Sequence, residues 1–145
     1  MSNEYLASLT ERIAAALDAR TEVLEAYLFG STARGDAGPL SDIDVAVFLD
    51  AALVVTPFAL FAAELAADLM KALGHSRVDM VVLNTATPLL YHRVLRDGAR
   101  LLARDLAATT TREGRALSRY CDFLPHLAIV DAAQAERLRT GKFGR

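Results

Sequence analysis

The 145 residues fit one ordinary domain, and a hydrophobic fraction of 53% beside 23% charged residues excludes a disordered chain. A formal net charge of −2 excludes the global basic field that holds long nucleic acid. The one cysteine, Cys121, excludes an intrachain disulfide, and no apolar run is long enough to span a bilayer, so a soluble cytoplasmic protein is expected.

Leu6, Leu9, Ile13 and Leu17 recur at spacings of three and four and predict an amphipathic helix over residues 3–19. Val23 to Phe29 is an apolar run with a single charge, Glu25, and reads as a buried strand ending at Gly30. Ser31 to Leu40 contains Gly35, Gly38 and Pro39 and must be mostly turn, with room for one helical turn after Ser31. Ile43 to Leu49 is a second strand, rich in branched residues. Thr56-Pro57 has the form of an N-cap followed by a first-turn proline; Phe58, Phe61, Leu65 and Leu69 follow at helical spacing, and Gly74 stands where a C-cap glycine belongs. Val78 to Leu83 is a third strand. Thr87-Pro88 opens another helix, which stops at Gly98.

Ala99 to Ala103 fits an edge strand or a restarted helix, and residues 106–140 read as helical with an interruption near Pro125. The order predicts a mixed α/β (α+β) domain with a small sheet covered by helices and a helical C-terminal tail. Residues 1–111 carry a net charge of −5 and residues 112–145 one of +3, which a solvated helix end explains.

The informative segment is Gly30-Ser31-Thr32-Ala33-Arg34-Gly35, followed after a short excursion by Ser41-Asp42-Ile43-Asp44. Asp42 and Asp44 stand two apart where a strand begins, so both side chains project from one face, their Cα atoms roughly 6.6 Å apart. Carboxylates so placed repel each other unless a cation sits between them, and such oxygen pairs suit Mg²⁺. Asp79, flanked by Val78 and Met80, adds a third acid if its strand is the neighbour of the one holding Asp44; inside so apolar a run it needs a partner. Three acids on a sheet can hold two metals about 4 Å apart for an in-line displacement at phosphorus, with Asp79 near the attacking hydroxyl and able to take its proton. A strand ending in Gly30-Ser31 lets backbone approach a ligand, and N–H groups at the start of the following turn can cradle phosphate, with Ser31 adding a hydroxyl. Arg34 could pair with phosphate or brace an aspartate. Gly-Ser alone and Asp-x-Asp alone are weak signals; their combination with a third strand aspartate is much stronger.

The segment Gly30 to Asp44 with Asp79 resembles the signature of the DNA polymerase β-like nucleotidyltransferase superfamily. The short chain, with Pro88-Leu89-Leu90-Tyr91 and Leu95-Arg96-Asp97-Gly98, resembles its minimal branch (MNT), the antitoxins paired with HEPN toxins. The resemblance covers about residues 5–105 and implies a palm-like sheet, with residues 1–105 as the nucleotidyltransferase domain and 106–145 as its helical extension. It implies ATP as donor and two Mg²⁺ held by Asp42, Asp44 and Asp79, with Gly30, Ser31, Arg34 and Ser41 on the nucleotide. It also implies a protein acceptor, a tyrosine of a HEPN ribonuclease silenced by adenylylation, with no membrane and no stable nucleic-acid complex. Nothing in composition or spacing points to that acceptor. The competing readings are transfer to a small molecule of the aminoglycoside kind, a binding-only antitoxin, and, more weakly, primer extension.

His75, His92 and His126 lack metal-ligand spacing. Arg93, Arg96, Arg100 and Arg104 are read as a solvated face, with partner or nucleotide contact as the second explanation. Arg119 and His126 match the Arg-x₆-His spacing of HEPN ribonucleases by coincidence, since too little chain surrounds them for a four-helix bundle.

Overall fold

The computed structural model describes residues 2–35, 41–74 and 77–141. Four strands, β1 (Val23–Phe29), β2 (Ile43–Leu49), β3 (Val78–Val82) and β4 (Ala99–Ala103), form one mixed sheet in the order β3-β2-β1-β4. β1 runs antiparallel to both β2 and β4, and β2 runs parallel to β3. A parallel pair needs a crossover, which α3 (Phe58–Leu73) supplies. The remaining helices are α1 (Asn3–Asp18), the short α2 (Gly30–Arg34), α4 (Pro88–Asp97) and the long α5 (Leu106–Thr140); a 3₁₀ turn, Leu83–Thr85, follows β3.

Alternation along the strands sends side chains to two different layers. On one face Ala26, Leu28, Val45 and Val47 pack against Leu9, Ile13 and Leu17 of α1 and Phe61, Leu65 and Leu69 of α3. Each such aliphatic side chain contributes about 1.5–3 kcal/mol through burial. On the other face Tyr27, Phe29 and Ala46 meet Tyr91 and Val94 of α4 and Ala116 of α5. The irregularity in pairing between Val23 and Glu25 switches the parity of β1, so Val23 joins the first layer and Glu25 the second.

Glu25 is completely buried there, and α5 provides for it. Arg112 donates through Nε to both carboxylate oxygens at 3.0 and 2.9 Å, and Thr109 Oγ1 donates at 2.9 Å. One helical turn of α5 thus carries both partners that a buried carboxylate requires. Beside it Tyr27 Oη donates to Glu113 at 2.8 Å, and Arg100 bonds the other oxygen of Glu113.

Several local expectations are corrected. Thr56 does not cap α3: Pro57 is itself the N-cap residue, and its carbonyl accepts from Leu60 and Phe61. Thr87 does cap α4, its hydroxyl accepting from Leu90 N at 3.2 Å, and Gly74 closes α3 with φ +62°. Residues 99–103 are the edge strand β4 and not a restarted helix. α5 runs unbroken through Pro125, which lies exposed and forfeits one intrahelical hydrogen bond without stopping the helix. Arg93, Arg96, Arg100 and Arg104 are all exposed, as expected of a solvated face, but Arg100 and Arg104 are also held by partners. Arg104 donates to the carbonyls of Val23, Leu17, Asp18 and Arg20 and so ties the end of β4 to the α1–β1 turn. Gly38, Pro39 and His75 lie outside the described residues.

Candidate functional site

The sheet brings the N-terminal ends of β2 and β3 beside the C-terminal end of β1. Asp44 pairs with Phe29 of β1 on one side and in parallel register with Asp79 of β3 on the other. Asp42 stands immediately before β2 on the same face as Asp44. This is the face that carries Phe29, Tyr91 and α4. The condition set by the sequence, that the strands of Asp44 and Asp79 be neighbours, is met.

Gly30 ends β1 and opens α2 with φ +74°, in the left-handed region. A Cβ built on Gly30 would lie only 2.1 Å from Asp44 Oδ2. The Asp44 carboxylate therefore rests directly on the glycine, and the two halves of the sequence signature touch. α2 begins without a side-chain cap, leaving the first N–H groups of the turn to other partners. Ser31 is half-buried and Arg34 exposed, and Gly35 (φ +78°) terminates the turn, its N–H donating to Thr32 O at 3.2 Å.

Two residues without any local sequence signal position this corner. Thr32 is buried, and its Oγ1 donates to Asp42 O at 3.3 Å, fastening α2 to the start of β2 across ten residues of chain. Arg77 fixes the same point from the other side: its carbonyl accepts from Ile43 N at 2.9 Å, and its guanidinium lies 3.9 Å from Asp42 Oδ1. A threonine inside a Gly-Ser turn and an arginine before a strand carry no sequence signal for these contacts, which depend on which strands pair.

Burial, then Asp79, then Asp42 push the Asp44 carboxyl above its ordinary range, and the Arg34 charge opposes them. Arg34 also acts on Asp97, at the C-terminal end of α4, whose carboxyl is held below its ordinary range chiefly by the Arg96 hydrogen bond. Asp79 is exposed on the edge strand β3, not enclosed as its apolar neighbours suggested. Among the described residues no three acid, histidine or cysteine side chains converge closely enough to enclose a metal ion as they stand, and Asp42 leans toward Arg77. The donors are nonetheless hard oxygens whose mutual repulsion a divalent cation would relieve, so their chemistry suits Mg²⁺. Ser41 precedes Asp42 and is half-buried. A cleft of about 530 Å³ opens between α4 and α5, lined by Tyr27, His92, Arg96, Arg100 and Glu113 among others, but none of the three aspartates lines it.

The profile of the polymerase beta nucleotidyltransferases matches residues 11–107, which include Gly30, Asp42, Asp44 and Asp79. The chain belongs to the polymerase beta nucleotidyltransferase family. This nucleotidyltransferase is similar to a toxin–antitoxin structure solved with AMP-PNP, with 29% identity and a TM-score of 0.69 over 86% of this chain and 98% of that one. It is also similar to the complex of a tri-AMPylated Shewanella oneidensis HEPN toxin with its MNT antitoxin, with 26% identity and a TM-score of 0.66 over 89% and 98% of the two chains. A protein described as a minimal nucleotidyltransferase shares 34% identity, with a TM-score of 0.55 over 65% of this chain and 93% of its own. No curated protein matches this nucleotidyltransferase in sequence. Among the described residues no helix is long and apolar enough to cross a membrane.

Proposed function

We propose that this nucleotidyltransferase is a Mg²⁺-dependent antitoxin that transfers AMP from ATP to a tyrosine of a cognate HEPN ribonuclease toxin and thereby silences it. The observation that supports the chemistry is the contact of the Asp44 carboxylate with Gly30, with Asp79 across the register: the turn proposed to grip phosphate and the aspartates proposed to hold the cation share one corner. The toxin reading is supported by the likeness to antitoxin structures solved with AMP-PNP and with a tri-AMPylated HEPN toxin.

Asp42, Asp44 and Asp79 would hold the cation, Asp42 turning from Arg77 to do so. Bound Mg²⁺ supplies charge neutralisation at the triphosphate and lowers the pKa of the attacking hydroxyl. The chain's own groups do the rest. Gly30 and Ser31 offer backbone N–H groups and a hydroxyl to the triphosphate, with Arg34 and Ser41 beside them. Thr32 holds that turn against the strand bearing Asp42 and Asp44. Asp79, exposed at the sheet edge, takes the proton of the acceptor hydroxyl, and its exposure suits an acceptor presented on a protein surface. The acceptor oxygen bonds to the α-phosphorus as the bond to the β-phosphate oxygen breaks, and pyrophosphate leaves. Residues 1–105 carry this reaction, and 106–145 form the helical extension. The cytoplasm supplies ATP and Mg²⁺ and is the setting this reading implies.

The test is label transfer from α-phosphate-labelled ATP with Mg²⁺ to the HEPN protein of the same genome. Label on the toxin with the wild type, and none with Asp42→Asn/Asp44→Asn, is the expected outcome. Consumption of ATP with no label on any protein would move the acceptor to a small molecule, and untouched ATP would leave an antitoxin that acts by binding alone.

A further inference from the structure

α5 continues for twenty-four residues past Ala116, its last buried residue. Its buried residues are Thr109 and Ala116, seven apart, and none beyond Ala116 is fully buried. The same face continues in sequence: Tyr120, Phe123, Leu127 and Val130 follow Ala116 at spacings of four, three, four and three. That alternation is the seam by which a helix pairs lengthwise with another helix. Tyr120 meets the domain by stacking on His92 of α4, ring centroids 3.6 Å apart. Beyond it the helix extends twenty more residues, about 30 Å. On the seam Tyr120, Phe123 and Leu127 are half-buried and Val130 is 38% exposed.

An overlay on 86% of the chain leaves out only about 20 of its 145 residues, so it must take in part of the 38 residues that follow the family match. Toxin–antitoxin complexes are among the structures that overlay so far. The minimal nucleotidyltransferase of higher identity uses 93% of its own chain in matching 65% of this one, and so lacks a counterpart of the full tail. The tail thus has counterparts in antitoxins solved with their toxins and is dispensable to the smaller nucleotidyltransferase chain.

We propose that the distal half of α5 is the surface that grips the partner, with Tyr120, Phe123, Leu127 and Val130 packed along one helix of the α-helical HEPN toxin. The proposal rests on the toxin reading above and adds which surface performs the capture. The domain holds the base of α5 through the Glu25–Arg112 pair, so a toxin seated on the tail is tethered to the same β1 strand that ends at Gly30.

The test co-expresses the full chain with the HEPN protein of the same genome and measures their affinity. Phe123→Asp/Leu127→Asp is expected to weaken binding roughly 30-fold or more, the loss typical of central apolar anchors. Ile129→Asp, on the opposite side of the same helix and 68% exposed, is expected to leave it unchanged. Melting temperature and ATP binding should be the same in all three proteins, because neither substitution touches the sheet. Wild-type affinity in Phe123→Asp/Leu127→Asp, or an equal loss in Ile129→Asp, overturns the seam while the toxin reading stands. Absence of any wild-type complex overturns both. A dimer of the chain alone that the double substitution dissolves, without loss of toxin binding, would give the seam to a second copy and overturn the proposal.

Discussion

The two faces of the sheet are built on different principles. The face under α1 and α3 is almost wholly aliphatic, from Ile13 and Leu17 through Val45 and Val47 to Leu65 and Leu69. The face under α4 and α5 buries Glu25, Tyr27 and Tyr91 among its apolar residues and presents Asp44 and Asp79 at its edge. An aliphatic layer needs only volume and pattern to hold together. The polar layer needs specific partners at specific distances, and it tolerates that demand because the other layer supplies the fold. Stability and chemistry are thus separated by the thickness of one sheet.

The contrast can be broken most completely at Asp44. Asp44→Asn should cut nucleotidyl transfer by roughly 10²–10³-fold or more, since it removes charge arranged for the transition state. In metal-free protein the same change should not destabilise. Burial, Asp79 and Asp42 raise this carboxyl above its ordinary range, so the ionised form is disfavoured in the fold. It follows that this group makes the wild type more stable as pH falls through its folded pKa, and that its unfavourable contribution is fully present above that pKa. Thermal melts across pH without metal should show that gain in the wild type and lose it in Asp44→Asn; a variant that melts lower at neutral pH would refute the repulsion.

Arg112→Ala comes next. It strands Glu25 in the interior, and equilibrium denaturation should register a loss of about 3–5 kcal/mol. Glu25→Leu/Arg112→Met should recover most of it, which would show that the pair is not needed for stability as such. Gly30→Ala should cost about 1–2 kcal/mol from the left-handed backbone alone. Its larger effect should be on transfer, because the new methyl displaces Asp44. Unaltered kcat in Gly30→Ala would contradict that contact. The smallest effect is expected at Tyr91, whose buried hydroxyl has no hydrogen-bond partner among the described residues and whose phenol burial pushes up to about 12. Tyr91→Phe should leave stability unchanged or raise it by about 1 kcal/mol, since the lone hydroxyl now bears its desolvation cost. A clear loss would mean that this hydroxyl has a partner in solution.

Much of the site was legible because strand alternation is a local property. Two aspartates two apart must share a face wherever the strand lies, and a glycine ending a strand before serine marks a close backbone approach at Gly30. The elements were legible for the same reason, from the 3.6-residue stripe of α1 to the Thr87 cap. What escaped were relations between distant segments. Nothing local links Arg112 to Glu25, Arg104 to the carbonyls of Leu17 and Asp18, or Thr32 to Asp42. The apolar neighbours of Asp79 predict an enclosed carboxylate, but apolarity does not say whether a strand is central or at the edge. Pro125 predicts a break because a proline weakens any helix, yet an exposed proline can be carried by a helix with thirty-four other residues.

The contact of Asp44 with Gly30 also bears on the order in which the site assembles. Gly30 and Asp44 are fourteen residues apart and meet when β1 and β2 close as an antiparallel hairpin. Asp79 lies thirty-five residues after Asp44 and arrives only when α3 has crossed over and β3 has docked in parallel. Closing a short loop is entropically cheaper and faster than closing a long one. On that ground the corner of Gly30 and Asp44 is expected to close before Asp79 joins it, so a partly folded chain would hold two parts of the proposed site without the third.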